Sequence, residues 1–330
     1  MDRGSDFAGW AGELFRDQAA AAVTQVTDGL PTCSLSAQAV VVDMLDSLLE
    51  PGHRVLDLGT GAGWNAALAA WRAGPGLVTS IEVDAGLAEA ARARLRAAGL
   101  DVVTEVGNGR AGSPGTRFDR VIATYAVERI PFAWVEQCAP GGRIVAPWGR
   151  LGHVALTVAD DGASASGWMQ GLAQFMPDRI DPGAAAGAGF GQVRGGRAAQ
   201  DVSCLQRDLT ALREDWNLRF ALQVALADVR VTTAVDEDGT SAWLHDGADS
   251  WAVLSSAAAG PGAVHQGGPR GLGDELESAW LAWERSDRPT PYDYGMTVRP
   301  DGQFVWLNDP DTGPRRPAVP GRRPVGADRG

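Results

Sequence analysis

From residue 53 onward, the apolar positions change period at regular intervals. Short apolar runs predict buried strands over 53–58, 77–83, 101–106, 118–124 and 142–147. Between them, apolar residues at helical spacing predict helices over 63–73, 85–98 and 131–138. Strands alternating with helices imply a parallel sheet covered on both faces, a doubly wound α/β unit. Upstream, residues 8–22 are Ala-rich and predict a helix weakened by Gly9 and Gly12. Residues 23–29 predict a short strand running into a turn, and 31–36 a small polar stretch. An amphipathic helix follows, with Val40, Val41, Met44, Leu45, Leu48 and Leu49 on one face, Ser36 as its cap and Pro51-Gly52 as its stop.

Past the alternating region, 153–158 and 164–169 flank Asp160-Asp161-Gly162, a hairpin signal that would close the sheet with antiparallel strands. Residues 177–199 are rich in Gly and Ala with little periodicity, as a linker is. Beyond them, 219–233, 241–244 and 251–255 predict strands, separated by turns at Asp238-Gly239 and Asp246-Gly247. Residues 274–285 predict a helix carrying Trp280 and Trp283, and 295–307 a hairpin turning at Pro300-Asp301-Gly302. The tail from Asp311, rich in Pro, Gly and Arg, is expected to be disordered. The organisation expected is thus an N-terminal segment and helix over 1–50, an α/β core over 51–179 and a linker over 180–200. A smaller α+β domain over 201–310 and a tail over 311–330 complete it.

The chemistry is concentrated in Val55–Gly63, Val-Leu-Asp-Leu-Gly-Thr-Gly-Ala-Gly. An apolar strand entering a glycine loop that opens a helix is the layout of a nucleotide site, where glycine permits close approach to the main chain. Glu82 ends the next strand, about 20 residues on, where an acidic residue can accept both hydroxyls of a ribose. The glycine spacing is not the dinucleotide fingerprint. Asp57 beside the loop would repel a pyrophosphate but can hold an ammonium, such as that of a methionine moiety. The motif therefore points to a methyltransferase rather than a dehydrogenase.

Composition narrows the partners. The chain has 330 residues, enough for two domains, and a hydrophobic fraction of 45%, enough for a sizeable core. Net charge is −12, and every one of the basic residues is Arg. So acidic a chain argues against general nucleic-acid or membrane-surface binding. Cys33, Cys138 and Cys204 are odd in number and widely spaced, as expected in a reducing compartment. The four histidines are scattered without metal-ligand spacing, so no metal is expected. With no signal-peptide pattern and no apolar run long enough for a bilayer, the cytoplasm is the expected location. Nothing in the sequence sets an oligomeric state.

From about Val23 to Arg179 the chain resembles the protein-L-isoaspartate O-methyltransferase family. The residues that carry the likeness run in order. They are Asp57 with Gly59, Gly61 and Gly63, then Ser80-Ile81-Glu82, Gly107-Asn108-Gly109 and Phe118–Thr124, then Ile130-Pro131 with Trp134, Glu136 and Gln137. Pro140-Gly141-Gly142-Arg143, Pro147-Trp148-Gly149 and Phe175-Met176-Pro177 complete it. The resemblance implies a Rossmann-like class I methyltransferase fold, S-adenosylmethionine as methyl donor, and an aspartyl or isoaspartyl carboxylate in a peptide or protein as acceptor. By position, Asp57, Gly59, Thr60, Gly61, Gly63, Glu82, Asn108 and Gly109 would bind the cofactor. Asn108 stands where the family usually has an Asp that accepts from the adenine amino group. The amide oxygen can still accept, without the charge. Ser36 falls on the family's substrate-side serine and would be the catalytic residue, with Thr32, Ser34 and Thr124 on the substrate side. Here the run is Ser36-Ala37-Gln38, without the family's proline.

Residues 23–34 and the C-terminal motifs Gly268-Pro269-Arg270, Asp274–Glu277 and Val305-Trp306-Leu307 are similar to a branch of the family. That branch modifies ribosomally made, post-translationally modified peptides, giving aspartimide or isoaspartate. The resemblance implies methylation of one Asp in a cyclised peptide, with general isoaspartate repair, or a non-catalytic cofactor-binding protein, as the other readings. On the branch reading the C-terminal unit captures the peptide, with Trp280 and Trp283 either as anchors or as that unit's own core.

Overall fold

The computed structural model describes residues 21–318 apart from 28, 47–48, 181–187, 238 and 257–260. The helix read over 8–22 lies almost wholly outside the described residues, as do 319–330 of the expected tail. The chain divides into two compact units, and not by a single cut. Unit 1 holds the described residues up to Ala126, with Pro131–Pro147 and Ala155–Ala165. Unit 2 holds Val127–Ile130, Trp148–Val154 and the described residues from Ser166 on. The expected boundary near residue 179 is replaced by this interleaving.

Unit 1 begins with an antiparallel pair, β1 (Ala22–Thr27) and β2 (Leu30–Leu35). The polar stretch expected over 31–36 is therefore a strand. Its partner is the strand before it, folded back at Gly29 (φ 78°), and it buries Cys33. α1 (Gln38–Asp46) buries Val41, Met44 and Leu45. Its first bond runs from Val41 N–H to the carbonyl of Ala37 (3.2 Å), so the cap position is Ala37 and Ser36 stands one residue outside the helix.

The alternating region then follows its pattern. It comprises β3 (Val55–Leu58), α2 (Trp64–Ala73), β4 (Val78–Glu82), α3 (Ala85–Ala97), β5 (Val102–Val106), β6 (Phe118–Ala123), α4 (Phe132–Gln137), β7 (Cys138–Pro147) and β8 (His153–Val158). Five of these strands form a parallel array in the order β7-β6-β3-β4-β5. Val55, Leu56, Leu58, Val78, Val121 and Ile122 are fully buried, as a sheet covered on both faces requires. α2 packs with Ala66, Ala69, Ala70 and Ala73, small residues that let it sit close to the strands. Asp84 caps α3, its carboxylate accepting from Gly86 N–H and Leu87 N–H. From β3 the chain winds through β4 to β5 on one side, and through β6 to β7 on the other. The junction of β3 and β6 is the switch point, and its carboxyl end is where open α/β sheets bind ligands.

Unit 2 contains β9 (Ala165–Gly171), α5 (Phe190–Arg194), β10 (Asp201–Leu205), α6 (Ala211–Glu214), α7 (Trp216–Ala225), β11 (Arg230–Asp236), β12 (Gly239–His245), β13 (Trp251–Ser255), β14 (Gly262–Gly267), α8 (Leu272–Arg285), β15 (Tyr294–Arg299), β16 (Gly302–Leu307) and β17 (Arg315–Pro317). An antiparallel five-stranded sheet runs β10-β14-β13-β12-β11, and a second group runs β17-β16-β15-β9.

Three expectations change here. The strand expected over 219–233 is the helix α7 followed by β11. Asp215 caps α7 by accepting from Asn217 N–H and Leu218 N–H, and Leu218, Ala221, Leu222 and Val224 are buried along it. The linker contains α5, held by the Arg197 guanidinium donating to Asp249 O (2.8 Å) and by Arg194 lying 4.9 Å over Trp251. The start of the tail is ordered: β17 pairs with β16, and the Arg315 guanidinium lies 4.8 Å over Phe304. Trp280 and Trp283 are both buried. Arg207 covers the first at 4.7 Å, and the indole N–H of the second donates to Pro289 O (3.0 Å), so both belong to this unit's own core. Among the described residues no helix is long and apolar enough to cross a membrane.

Candidate functional site

The glycine loop sits at the carboxyl end of β3, and its backbone takes turns that only glycine makes cheaply. Gly59 has φ 93°, and a Cβ there would stand 2.9 Å from both Thr124 Oγ1 and Tyr125 Cδ1. Gly63, at φ 89°, turns the chain into α2. At Gly61 a Cβ would meet little beyond the Cys33 sulfur at 3.3 Å, so this face of the loop is open to an approaching group. Cys33 also brings β2 to the loop, which puts Thr32 and Ser34, one residue to either side, at the same edge.

Beneath the loop lies a closed polar network. Asp57 is fully buried, and its two oxygens accept from the Asn65 amide and from Ser80 Oγ (2.6 Å). Since the Ser80 proton is directed at Asp57, Thr60 Oγ1 donates to Ser80 Oγ (2.6 Å). Burial pushes the Asp57 carboxyl up to about 6. The Ser80 and Asn65 donors pull it down again, and the nearby Glu82 carboxylate raises it. The ammonium-holding role expected of Asp57 is not what this geometry displays: both oxygens face protein donors, and the residue braces the loop from below.

Glu82, at the end of β4, is also buried. Its Oε2 accepts from Gly61 N–H (2.8 Å) and its Oε1 from Asp84 N–H (3.1 Å). Next to it, beyond β5, Asn108 is exposed and its Oδ1 accepts from Arg110 N–H (2.9 Å), capping a single 3₁₀ turn. Gly109 is buried. Its carbonyl accepts from the Trp134 indole N–H (2.8 Å), and a Cβ on it would collide with the Tyr125 hydroxyl. Thr124, at the end of β6, donates to Gly59 O (2.9 Å), which ties β6 to the loop.

Asp57, Gly59, Thr60, Gly61, Glu82, Gly109 and Thr124 thus meet at one end of the parallel strands. Thr32, Ser34 and Ser36 are half-buried and have no hydrogen bond to this network among the described residues. Sequence reasoning assigned no role to Asn65, Tyr125 or Trp134. The signal for Trp134 was its place in a motif, while that for Asn65 was an amide just inside a helix that follows a buried acid. The arrangement offers approachable backbone and a buried carboxylate at the switch point, the elements that hold a nucleoside and its substituent.

Residues 10–176 match the family described as protein-L-isoaspartate(D-aspartate) O-methyltransferase. A protein-L-isoaspartate O-methyltransferase of Methylorubrum populi is 43% identical over 125 residues, covering 37% of this chain and 58% of that protein. Protein-L-isoaspartate O-methyltransferase 1 of Archaeoglobus fulgidus is 37% identical over 142 residues, covering 42% of this chain and 64% of that one. The chain therefore spans less than two thirds of the length of either relative. A solved structure of a protein-L-isoaspartate O-methyltransferase shares the fold, with a TM-score of 0.52 at 17% identity over 88% of this chain and 87% of that one. The likeness of fold reaches well beyond residue 176, so the second unit is not peculiar to this chain.

Proposed function

The chain belongs to the protein-L-isoaspartate O-methyltransferase family, and from that premise we propose that it is an S-adenosylmethionine-dependent O-methyltransferase acting on the side-chain carboxylate of an isoaspartyl residue in a peptide or protein. The observation that carries the reading is Glu82, a buried carboxylate at the end of β4 that accepts from the Gly61 N–H of the glycine loop, beside the open face of Gly61. These residues fit the cofactor. Glu82 would hold the ribose hydroxyls, the backbone at Gly59 and Gly61 the methionine part, and Asn108 and Gly109 the adenine edge. Thr60 and Asp57 act by fixing the loop.

When bound, the cofactor supplies an electrophilic methyl group. The acceptor carboxylate is ionised at neutral pH, so no general base is required. The protein's task is to align the acceptor oxygen, and positioning can remove about 7–11 kcal/mol of such a barrier. In this reading Ser36, Thr32 and Ser34 orient the acceptor, with hydroxyls that donate to its second oxygen. Thr124 supports them by holding Gly59. The resulting methyl ester is open to attack by the next residue's backbone nitrogen, which expels methanol and closes a succinimide. Water then opens the ring to Asp or isoAsp.

Repair of isoaspartyl residues in many proteins fits better than a single cyclised peptide as acceptor. The relatives carry the repair family's name, and the second unit has a counterpart in one of that family's folds. The dedicated-peptide reading rests on the motifs of residues 23–34 and of the C-terminal unit alone. A cytoplasmic place of action accompanies either reading and rests on the few, widely spaced cysteines.

Glu82→Ala tests the proposal directly. Losing a charge-assisted acceptor costs about 1.5–3 kcal/mol, so S-adenosylmethionine affinity by calorimetry should fall roughly ten- to hundredfold. Unchanged affinity removes Glu82 from the site. Methyl transfer to a panel of unrelated isoaspartyl peptides then separates the acceptors, since a repair enzyme accepts most of them and a dedicated one does not.

A further inference from the structure

Helix α7 turns one stripe of residues, Arg219, Leu222 and Gln223, with Leu226 just past its end, toward a cavity of about 110 Å³ within unit 2. Alternate residues of β11, Val231 and Thr233, line it from the sheet, and Arg150 with Leu151 from the segment 148–154. Leu and Val side chains make up about half of the walls, and Gln174, Gln223, Thr233 and two guanidinium groups the rest. Several other arginines of this acidic unit are paired with carboxylates. Arg207 is clamped by Glu277 and Glu284, Arg230 by Glu128 (3.0 Å), and Arg270 by Asp228 (2.7 Å) and Glu275. Arg150 and Arg219 have no ion pair among the described residues.

The only described partner of the Arg150 side chain is a backbone carbonyl, Val229 O, at 2.6 Å. The two carboxylates near enough to favour its charge, Glu128 and Asp228, are already engaged by Arg230 and Arg270. Burial and the like charge of Arg230 bring its pKa down to about 10. Arg219 lies flat on Trp216 at 4.2 Å, which orients it without neutralising it. Gln223 is 94% buried by its 6% exposure, and its Oε1 accepts from Arg150 N–H (2.7 Å). Its Nε2 has no acceptor among the described residues. Half-buried cations without a counter-charge and a buried amide donor without an acceptor are costly unless something supplies them.

We infer that this pocket is a binding site for a carboxylate carried on a small aliphatic body. The planar fork of a guanidinium matches a two-oxygen anion, and the Leu and Val side chains around it suit an aliphatic body. The volume suits a branched group of a few carbons, since a dry cavity of about 150 Å³ takes a benzene. The carboxylate could be a free small acid or the end of a peptide chain, and the chemistry of capture is the same. The site lies wholly in unit 2 and stands apart from the methyl-transfer reading, which it neither needs nor supports.

The test is calorimetry on the full chain with 4-methylpentanoate and 4-methylpentanamide. Acetyl-Gly-Gly-Leu with a free and with an amidated terminus is run in parallel. At least one of the two acids should bind saturably in the millimolar range, and its amide at least about tenfold more weakly. Which acid binds identifies the source. Arg219→Met should weaken the acid about tenfold or more while leaving S-adenosylmethionine binding unchanged, and Arg150→Met should do the same. Equal binding of acid and amide, no saturable binding of either acid, or unchanged acid binding in Arg219→Met would overturn the inference. Should Arg150→Met fail to fold, Arg219→Met, whose side chain is stacked on the surface of α7, decides alone.

Discussion

Asp57 under the glycine loop and Arg150 in the second unit are both charged groups withdrawn from water, and their surroundings differ. Burial shifts each toward its neutral form, Asp57 up to about 6 and Arg150 down to about 10. Asp57 receives a donor on each oxygen, and its donors are themselves tied in, Ser80 to Thr60 and Asn65 into the first turn of α2. Arg150 receives a single carbonyl. The first arrangement is closed: its product is a loop held in one shape. The second is open, and its product is unspent capacity to bind. A buried charge is therefore informative less by its presence than by how many of its hydrogen-bond positions the protein fills itself.

The contrast can be broken most forcefully at Gly59. Gly59→Ala places a side chain at a left-handed φ and against Thr124 and Tyr125. Strain and overpacking together should cost about 2–5 kcal/mol, read from the urea midpoint. A loss under about 1 kcal/mol would mean that the loop is not held in one shape.

Asp57 sharpens it next. Its folded pKa lies above the unfolded value of 3.8, so the folded state binds the extra proton between those limits. Its contribution is thus unfavourable at neutral pH and is relieved as pH falls through about 6 toward 4, by on the order of 3 kcal/mol. Asp208 and Asp309, held below the ordinary range by backbone donors, act in the opposite sense at lower pH. Asp57→Asn isolates the effect. The stability of the wild type relative to this variant should rise between pH 7 and pH 4.5, and parallel curves would show that Asp57 is not titrating in the fold.

The smallest effect is expected at Arg150. Arg150→Met removes an unpaired, half-buried cation and one hydrogen bond, and should change the unfolding free energy, read from urea titration, by no more than about 1 kcal/mol in either direction. A large loss would place Arg150 with Asp57, as a group whose partners the fold requires.

What was legible in the sequence was local. The strand, glycine turn and helix of Val55 to Ala73, and the alternation that follows, are written in short-range periodicity, and so is the position of Glu82 at a strand end. The partners of Asp57 were not, because Ser80 is reached across neighbouring parallel strands and depends on a register that no local pattern states. Residues 31–36 read as a polar stretch because a strand this short is made by its partner, here β1. The stretch 219–225 read as a strand because its apolar residues are dense enough to satisfy either period. Asp215, the cap that decides for helix, lies just outside the window. Arg150 carried no signal at all. Its interest lies in partners that are engaged elsewhere.

The interleaving of the two units has a consequence for how such a protein can be taken apart. Within unit 2, Ile130 exchanges hydrogen bonds with the Gln303 side chain, Trp148 packs on Phe220 at 6.5 Å, and Arg150 is held by Gln223 and Val229. A stop codon near residue 200 would therefore not release unit 1 alone. It would leave two inner segments without partners such as Gln303 and Phe220. Modularity in this chain is spatial and not genetic: the halves can diverge in sequence, but neither can be inherited, swapped or lost as one contiguous piece.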